Sequence, residues 1–472
     1  MSAKVLSDLA YLTSAFLFII GLKFLSHPAK ARRGNFLAIL GMAFALVATF
    51  IFLWSGPSTP LRASGGTPER GMLIIAGIVI GGLLGTVGAR FVAITNMPQM
   101  VALLNGCGGG AAALISTVEF VGGKATGGVG IGSAVFGGVV GSLAFWGCLV
   151  AFGKLQGWME RAITSTFQKI FNFLLLAAIL GVIVWVALGG GAAGFYTLLI
   201  LAFLLGILMV IPIGGADMPV VISLLNSFTG LAVAATGFAL KQPALIISGT
   251  LVGASGTLLT LLMCRAMNRP LTNVLFAGVG AGPVAAPGAV VAGAAKTARE
   301  ISPEDAAVLL GNIQSLIIIP GYGMAVAQAQ HIVRELADML ANKGVEVKYA
   351  VHPVAGRMPG HMNVLLAEAN VPYDQLFDLD QINPDFERCD VALVIGANDV
   401  VNPAARTDQA SPIYGMPILD ADHAKHIIVI KRSLRPGFAG IDNELYYDPK
   451  TYMLFGDAKG AVAKLVEALK AA

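Results

Sequence analysis

The stretch that decides the fold of the C-terminal part of the chain is SLIIIPGYGMAV, residues 315–326. It begins with an aliphatic run of the length of a buried strand, and Gly321 and Gly323 follow directly. The spacing is G-x-G-x-x-V, with Val326 in the last position, and a helical pattern extends beyond it. A strand, a glycine turn and a helix in this order are typical of a dinucleotide-binding unit, because the glycines let the backbone approach a pyrophosphate and the helix N-terminus favours negative charge. The pattern predicts an α/β unit with a helix over residues 324–341.

Further short apolar runs follow this stretch and alternate with helical segments. They predict four more strands and a final helix, at residues 345–353, 391–397, 426–432, 451–456 and 457–470. Before the first strand, Ser302 precedes a proline and two acidic residues, which is the pattern of a helix start. Strands that alternate with helices favour a parallel sheet with right-handed crossovers. We therefore expect a soluble, Rossmann-like α/β domain over residues 300–472.

Basic residues follow the fourth predicted strand. Lys431 and Arg432 stand beside Ser433, and Arg435 comes shortly after them. An NAD site usually has an acidic residue near the end of its second strand to hold the ribose hydroxyl, whereas residues 350–353 here read AVHP. Two cations beside a hydroxyl suit a ribose 2′-phosphate, which favours NADP(H) over NAD(H). The alternative is a solvated strand end.

Two other loops have the composition of ligand contacts. Residues 354–360 (VAGRMPG) form a glycine-flanked turn with Arg357, which suits a phosphate group or is an ordinary exposed loop. Residues 396–400 (GANDV) follow a predicted strand at the edge where open α/β sheets bind ligands. Asp399 in this segment is either a ligand contact or a turn residue. Four histidines have neither metal-site spacing nor a nucleophile partner, so none is assigned a catalytic role: His352, His361, His423 and His426.

The distribution of charge separates the first 290 residues from the rest. They contain 15 Lys and Arg and 5 Asp and Glu, against 16 and 22 in residues 291–472. The whole chain is 56% hydrophobic and 12% charged, whereas a soluble domain usually has about 25% charged residues. This composition excludes an ordinary soluble globular protein and indicates a membrane part followed by a soluble part. No run of Lys and Arg accompanies the aromatic residues, so nucleic-acid binding is not expected.

Nine apolar stretches in the first part have the length of a membrane helix, about 20 residues. They lie near residues 4–25, 36–55, 71–89, 98–118, 130–152, 171–189, 193–213, 219–239 and 243–265. The connections on one side contain ten basic residues and those on the other side five, so the first side is expected to be cytoplasmic and the N-terminus outside. Residues 274–299 are rich in Gly, Ala and Pro and predict a linker between a transmembrane domain at 1–273 and the soluble domain.

The membrane part contains an internal repeat with an offset of 121 residues. Residues 96–106 (NMPQMVALLNG) resemble residues 217–227 (DMPVVISLLNS) at the Met-Pro, Leu-Leu and asparagine positions. The two asparagines, Asn105 and Asn226, come about two turns into their helices. They either make interhelical hydrogen bonds or hold water on a proton pathway, because polar groups are costly in a bilayer unless they have partners. Asp217 is either a helix cap or a group that gates the cytoplasmic mouth.

Taken together, these segments resemble the beta subunit of the proton-translocating NAD(P) transhydrogenase over nearly the whole chain. The most specific stretches are residues 321–330, 352–368, 394–403, 415–419, 431–440 and 453–459, with 216–226 and 264–269 in the membrane part. The resemblance implies a cytoplasmic NADP(H) domain attached to a proton-conducting helix bundle in the bacterial inner membrane. It implies no catalytic side chain and no metal, because the cofactors carry out the hydride chemistry.

The resemblance also implies which residues contact the nucleotide. They are Tyr322; Val354, Ala355, Gly356, Arg357, Met358 and Pro359; Gly396, Ala397, Asn398, Asp399 and Val400; Gly415 and Met416; Lys431, Arg432, Ser433, Leu434, Arg435, Pro436, Gly437 and Phe438; Asp457 and Ala458. In this family NADP(H) lies in the reverse of the usual Rossmann orientation, so the glycine turn has another role than pyrophosphate binding. Asp399 would couple the nucleotide state to protonation, and Asn105, Asp217 and Asn226 would belong to the proton pathway.

Two positions depart from the family pattern. Asn105 stands where many members have His, and an amide cannot titrate near neutral pH whereas an imidazole can. At this position the chain would therefore hold water instead of a titrating group. Phe438 stands where other members have Tyr, which removes a hydroxyl contact.

The chain has one predicted dinucleotide domain, whereas hydride transfer needs two nicotinamides. The resemblance therefore implies an NAD(H)-binding alpha subunit as partner, and a homodimer of alpha–beta units. Two other classes of function stay open from the residues alone. One is a channel or transporter gated by a nucleotide-sensing domain, and the other is a membrane anchor for a soluble dehydrogenase. A gated channel or transporter would show ion flux without redox turnover. A membrane anchor would not need its helices to pump protons.

Overall fold

The structure is a computed structural model, and it describes residues 3–25, 30–55, 68–159, 167–214, 217–276, 297–358 and 360–471. Within these residues, nine helices are long and apolar enough to cross a membrane. They are α1 (Ala3–Leu25), α2 (Ala31–Ser55), α3 (Pro68–Phe91), α4 (Met97–Val121), α5 (Gly127–Leu155), α6 (Gln168–Ala187), α7 (Gly191–Val210), α8 (Met218–Leu240) and α9 (Pro243–Ala266). The nine predicted spans are confirmed, because a long apolar run is stable in a bilayer only if a helix satisfies its own backbone.

Hydroxyl groups join several of these helices. Ser227 Oγ in α8 donates to the carbonyl oxygen of Gly253 in α9 at 2.9 Å. The hydroxyl oxygens of Ser116 in α4 and Thr236 in α8 are 3.3 Å apart, and both residues are buried. Apolar contacts alone give little preference for one partner helix in lipid, so such bonds help to fix which helices pair.

The described residues divide into two compact units. One is drawn from Met1–Trp158, Ile170–Ile211 and Leu224–Leu258, and the other from Met159–Lys169, Pro212–Ser223 and Leu259–Ala472. The short helix α10 (Leu271–Phe276) lies in the second unit. Most of the predicted linker, residues 277–296, lies outside the described residues.

The C-terminal part contains a seven-stranded parallel sheet in the order β1-β7-β6-β5-β2-β3-β4. The strands are β1 (Arg299–Glu300), β2 (Ser315–Pro320), β3 (Glu346–Val351), β4 (Leu376–Asp378), β5 (Val391–Ile395), β6 (His426–Lys431) and β7 (Thr451–Phe455). Strands β2, β5 and β6 are aliphatic and almost wholly buried, as in parallel sheets that are covered on both faces. Leu316 pairs with Val391, and Ile395 pairs with Ile430. The predicted parallel α/β domain is confirmed.

Helices connect these strands. They are α11 (Pro303–Gly311), α12 (Tyr322–Val326), α13 (Gln330–Asn342), α14 (His361–Glu368), α15 (Leu379–Ile382), α16 (Ala404–Thr407) and α17 (Ala458–Ala471), with 3-10 turns at Ile94–Asn96, Tyr373–Gln375, Asn383–Arg388, Asp399–Val401, Ala421–His423 and Glu444–Tyr447. Helix α11 begins as predicted, since Ser302 Oγ accepts from the backbone N–H of Asp305 at 3.1 Å. The single helix predicted over residues 324–341 is wrong, because Gln328 has a left-handed backbone (φ +49) that separates α12 from α13.

The sequence does not predict β1 and β4. They have only two and three residues, without the aliphatic run of the central strands. The chain winds from β2 outward to β4 and then returns to β5 on the other side of β2. This reversal puts the topological switch point at the carboxyl ends of β2 and β5, where open parallel sheets bind ligands.

Candidate functional site

The loops that follow the strands leave the same edge of the sheet, because the strands are parallel. Tyr322 follows β2, Arg357 follows β3, Asp399 follows β5, Lys431 ends β6 and Asp457 follows β7. Residues from five separate parts of the sequence are thus gathered at one edge, which includes the switch point.

Three glycines bring the turns after β2 and β5 into backbone contact. The N–H groups of Gly321 and Gly323 donate to Ile395 O and Gly396 O, each at 2.9 Å. A Cβ atom added to Gly321 would lie 2.3 Å from the nitrogen of Ala397, and one added to Gly396 would lie 2.4 Å from the Cα of Gly323. The glycines after β2 therefore let this turn pack closely against the backbone of residues 396 and 397. The glycine pattern alone predicts a pyrophosphate at this place.

Asp399 ties the loop after β6 to the turn after β5. Its Oδ2 accepts from the backbone N–H of Ala439 at 3.0 Å, and its Oδ1 accepts from Asn398 Nδ2 at 2.8 Å. Gly437 passes so close that an added Cβ would lie 2.8 Å from Asp399 Oδ1. The loop formed by residues 431–438 consequently closes against the turn at residues 396–399.

Lys431 reaches into this junction. Its Nζ donates to Asn398 Oδ1 at 2.8 Å and to the carbonyl oxygen of Arg435 at 2.6 Å, and it stands 4.8 Å from the ring centroid of Tyr446. Burial lowers the pKa of Lys431 to about 8, against the opposing effect of Asp399. Arg432 and Arg435 in the same loop are exposed, as are Pro436 and Phe438.

Three predicted segments meet at Tyr322. The guanidinium carbon of Arg357 lies 4.6 Å from the centroid of the Tyr322 ring, and the Phe438 ring lies 5.5 Å from it. Burial raises the pKa of the Tyr322 hydroxyl, and the guanidinium groups of Arg357 and Arg432 act in the opposite direction. A cation, two rings and the glycine turn therefore form one cluster.

The other predicted contacts lie in the connected loops. Gly415 has a left-handed backbone (φ +74) and donates to Ala405 O at 2.7 Å, and Met416 packs in a small apolar cluster with Ala405. The turn before α17 is tied to β6, since Gly456 N–H donates to Lys431 O at 3.1 Å. The remaining described residues of the predicted set belong to these same loops: Val354, Ala355, Gly356, Met358, Val400, Ser433, Leu434, Pro436, Asp457 and Ala458. Pro359 lies outside the described residues.

Sequence reasoning missed two residues that hold the junction, Asn443 and Tyr446. Tyr446 is fully buried, and its hydroxyl donates to Asn398 Oδ1 at 2.6 Å. Asn443 is buried as well, and its Nδ2 donates to Asn398 O at 3.0 Å. Both follow the predicted loop by several residues without a recognisable motif, so the local sequence contains no signal of this role.

In the membrane part, Asn105 and Asn226 are half-buried. Asn105 Nδ2 donates to Cys148 Sγ in α5 at 3.1 Å, and the backbone carbonyl oxygen of Asn105 accepts from Thr229 Oγ1 in α8 at 3.3 Å. The described residues include no hydrogen-bond partner for the side chain of Asn226. The asparagine of the first repeat thus makes the interhelical contacts that one of the two interpretations expects.

Asp217 forms an ion pair at the start of α8. Arg269 Nη1 donates to both of its carboxylate oxygens, at 3.0 and 3.1 Å. Asp217 is 8% exposed, and burial raises the pKa of its carboxyl group against the opposing effect of Arg269. The carboxylate is therefore engaged with a cation that the sequence pattern of a cap does not indicate.

Among the described residues, no three His, Cys, Asp or Glu side chains lie close enough together to bind a metal ion. The site is instead made of cations, amides, backbone N–H groups and aromatic rings. These groups bind phosphates, hydroxyls and bases.

Membrane-crossing helices joined to an open parallel sheet, with basic loops at the switch point, define an integral membrane protein with a Rossmann-like domain. Residues 7–468 match the family described as NAD(P) transhydrogenase beta subunit. Two sequences of NAD(P) transhydrogenase subunit beta, both from Rhodospirillum rubrum, are each 48% identical over 471 residues, which is 98% of this chain and 98% of each relative. The chain belongs to the family of NAD(P) transhydrogenase beta subunits.

Membership of this family carries an enzymatic function. The chain is a subunit of an enzyme that transfers hydride between NAD(H) and NADP(H) and couples this reaction to proton movement. A beta subunit implies an alpha subunit as its partner. The predicted family, fold class and enzymatic function are confirmed.

Proposed function

We propose that NADP(H) binds to this chain, along the sheet edge formed by the loops after β2, β3, β5, β6 and β7. The main support is the junction at the switch point, where Asp399 and Lys431 hold the basic loop at 431–438 next to the turn at 396–399. The proposed contacts are Tyr322, residues 354–359, residues 396–400, Gly415, Met416, residues 431–438, Asp457 and Ala458.

The side chains of this edge fit a nucleotide with several phosphates. Lys431, Arg432 and Ser433 would hold the 2′-phosphate, because a guanidinium and an ammonium beside a hydroxyl bind phosphate oxygens well. Arg357 adds a further cation near Tyr322. When bound, NADP(H) supplies the nicotinamide that exchanges hydride, and the protein supplies its position. The backbone packing of the glycine turn supports the reversed orientation of the nucleotide.

We infer that Asp399 couples the nucleotide site to protonation. Its carboxylate accepts the backbone N–H of Ala439 and so holds the 431–438 loop. A protonated carboxyl group has fewer acceptor sites, which would loosen this loop. In the membrane part, Asn105, Asp217 and Asn226 would serve the proton pathway. The raised pKa of Asp217 supports a role at its mouth, since a carboxyl group with a higher pKa takes up a proton more readily.

The assembly and the domain limits are also proposals. The transmembrane domain would cover residues 1–273, a linker 274–299 and the NADP(H) domain 300–472. The alpha subunit would bind NAD(H), and two alpha–beta units would form a homodimer in the bacterial inner membrane. The N-terminus would lie outside and the NADP(H) domain in the cytoplasm, as the excess of basic residues in one set of connections supports.

Reconstitution in sealed vesicles tests the proposed function. The chain alone is expected to bind NADP(H) without transferring hydride from NADPH to NAD, because one nucleotide domain cannot bring two nicotinamides together. Addition of the NAD(H)-binding alpha subunit should start NADPH oxidation together with a change in lumenal pH. Turnover by this chain alone would contradict the proposal, as would ion flux that responds to NADPH without redox turnover.

Asn226→Leu tests whether the bundle conducts protons or only anchors the domain. The variant is expected to retain NADP(H) binding and to lose coupled proton movement, because a leucine cannot hold water at that position. Thr197→Val is a matched control, since Thr197 is half-buried in α7 and its hydroxyl donates to Ala193 O of the same helix at 2.9 Å. Full proton pumping by Asn226→Leu would support a purely structural membrane part.

A further inference from the structure

Two buried histidines flank the turn at residues 354–358, and neither belongs to the proposed nucleotide contacts. His352 follows β3 and is 2% exposed, and His361 begins α14 and is 1% exposed. An imidazole is seldom enclosed to this degree without a defined partner. In each ring Nδ1 accepts from a backbone N–H of the turn, from Val354 for His352 and from Arg357 for His361. Nε2 of His361 is buried and has no hydrogen-bond partner among the described residues.

His352 connects the turn to a second proposed contact segment. Its Nδ1 accepts from the backbone N–H of Val354 at 3.2 Å, so the proton of the neutral ring is on Nε2. That Nε2 lies 2.8 Å from the carbonyl oxygen of Pro417, which can only accept. One neutral tautomer therefore makes both bonds and joins the turn to the segment that contains Gly415 and Met416.

His361 holds the other end of the turn. Its Nδ1 accepts from the backbone N–H of Arg357 at 3.0 Å. Gly356 has a left-handed backbone (φ +107), and an added Cβ would lie only 2.5 Å from that Nδ1. The turn can therefore close on the ring only with a glycine in this position. Burial, together with the guanidinium of Arg357, lowers the pKa of His361 to about 4, which leaves Nδ1 free to accept at neutral pH.

The contact of His361 extends to the rest of the site through Arg357. The backbone of Arg357 is fixed by the imidazole, while its guanidinium stands over the Tyr322 ring, which neighbours Phe438. Groups that orient a binding residue through its backbone often matter for affinity almost as much as the binding residue does.

We propose that His352 and His361 are positioning residues for NADP(H): they hold the 354–358 turn against the 415–417 segment and against Tyr322. This inference rests on the proposed nucleotide site. It assigns no chemical step to either imidazole, and it requires each to remain neutral.

Substitutions that keep or remove one ring nitrogen test the inference. The Oδ1 atom of an asparagine takes the place of a histidine Nδ1, whereas the amide of a glutamine reaches the place of Nε2. In the full chain in detergent, with NADP⁺ titrated calorimetrically, His361→Asn is expected to bind within about threefold of wild type, and His361→Gln and His361→Leu about 10- to 100-fold more weakly. For His352, Asn and Gln each keep one of the two bonds, so both should bind less weakly than His352→Leu.

A second readout separates positioning from general stability. With the alpha subunit present, His361→Gln is expected to raise the KM for NADPH and to leave the KM for NAD unchanged. His331→Leu is the matched control, because the side chain of His331 is 62% exposed on α13. It should change neither KM.

The results divide clearly. Equal affinities of wild type and His361→Gln, or an Asn variant as weak as the Leu variant, would overturn the inference while leaving the proposed function intact. Failure of the wild-type chain to bind NADP⁺ would instead overturn the proposed function. If the Leu variants do not fold, the comparison of Asn with Gln at His361 still decides, since both are neutral amides.

Discussion

Both ends of the side-chain amide of Asn398 form hydrogen bonds, although the sequence shows it only as one polar residue in a loop. Its side-chain oxygen accepts from Lys431 and Tyr446, and its amide nitrogen donates to Asp399. An amide whose two ends have different partners can adopt only one orientation. Asn398 therefore fixes where the carboxylate of Asp399 and the ammonium of Lys431 stand.

The burial of a single residue, His352, affects how the stability of the chain depends on pH. Burial lowers its pKa from 6.5 to about 4, so the folded chain resists a proton that the unfolded chain accepts near 6.5. The stability contributed by the neutral ring is complete above pH 6.5 and is lost as the pH falls towards 4. The expected loss is about 3 kcal/mol.

Hydrogen–deuterium exchange of β2, β3 and β5 in the full chain, at increasing denaturant and from pH 8 to pH 4, measures this loss. His352→Gln has no titrating group at the position and should show a correspondingly flatter dependence on pH. The same slope in both proteins would refute the assignment of this effect to His352.

At the scale of elements, the turns after β2 and β5 depend on contact between glycines. Gly396→Ala is expected to destabilise the sheet by about 2–5 kcal/mol, because it adds overpacking to a strained left-handed backbone. The new Cβ would lie 2.4 Å from the Cα of Gly323, and φ at Gly396 is +65. Denaturant unfolding followed by exchange of β2 and β5 measures the change in the free energy of unfolding.

Gly460→Ala provides the control for that substitution. Gly460 lies in α17, and an added Cβ would meet nothing within 4 Å. Alanine there should stabilise the chain by about 0.5–1 kcal/mol, because it favours the helix and costs no contact. Equal effects of the two substitutions would contradict the role given to the glycine contact.

Elements differ in how far the sequence predicts them. The nine membrane helices and the strands β2, β3, β5, β6 and β7 follow from apolar runs, since burial along the whole run determines them. The break at Gln328 does not follow from its neighbours, because glutamine is an ordinary helix residue. Strands β1 and β4 exist only because neighbouring strands offer them backbone partners.

In the whole molecule, similarity to the relatives from Rhodospirillum rubrum extends over 98% of the chain, so the membrane helices and the sheet belong to one family together.

The orientation in the membrane is testable with cysteines introduced at Lys124 and Lys459, both exposed. In intact cells, a membrane-impermeant maleimide is expected to label Lys124→Cys and to label Lys459→Cys only after lysis. The unsubstituted chain, which contains Cys107, measures the background. The reverse pattern would contradict the proposed orientation.

The membrane helices, the five longer strands of the parallel sheet, the basic loop after β6 and the family follow from the sequence alone, because apolar run length, the alternation of strands with helices and short motifs depend on neighbouring residues. The contacts of the site residues depend instead on the folded chain. Asp399 and Ala439 are 40 positions apart, and His352 and Pro417 are 65 apart. Such contacts arise when parallel strands bring their carboxyl ends to one edge, and no local pattern encodes which backbone group then faces a given side chain.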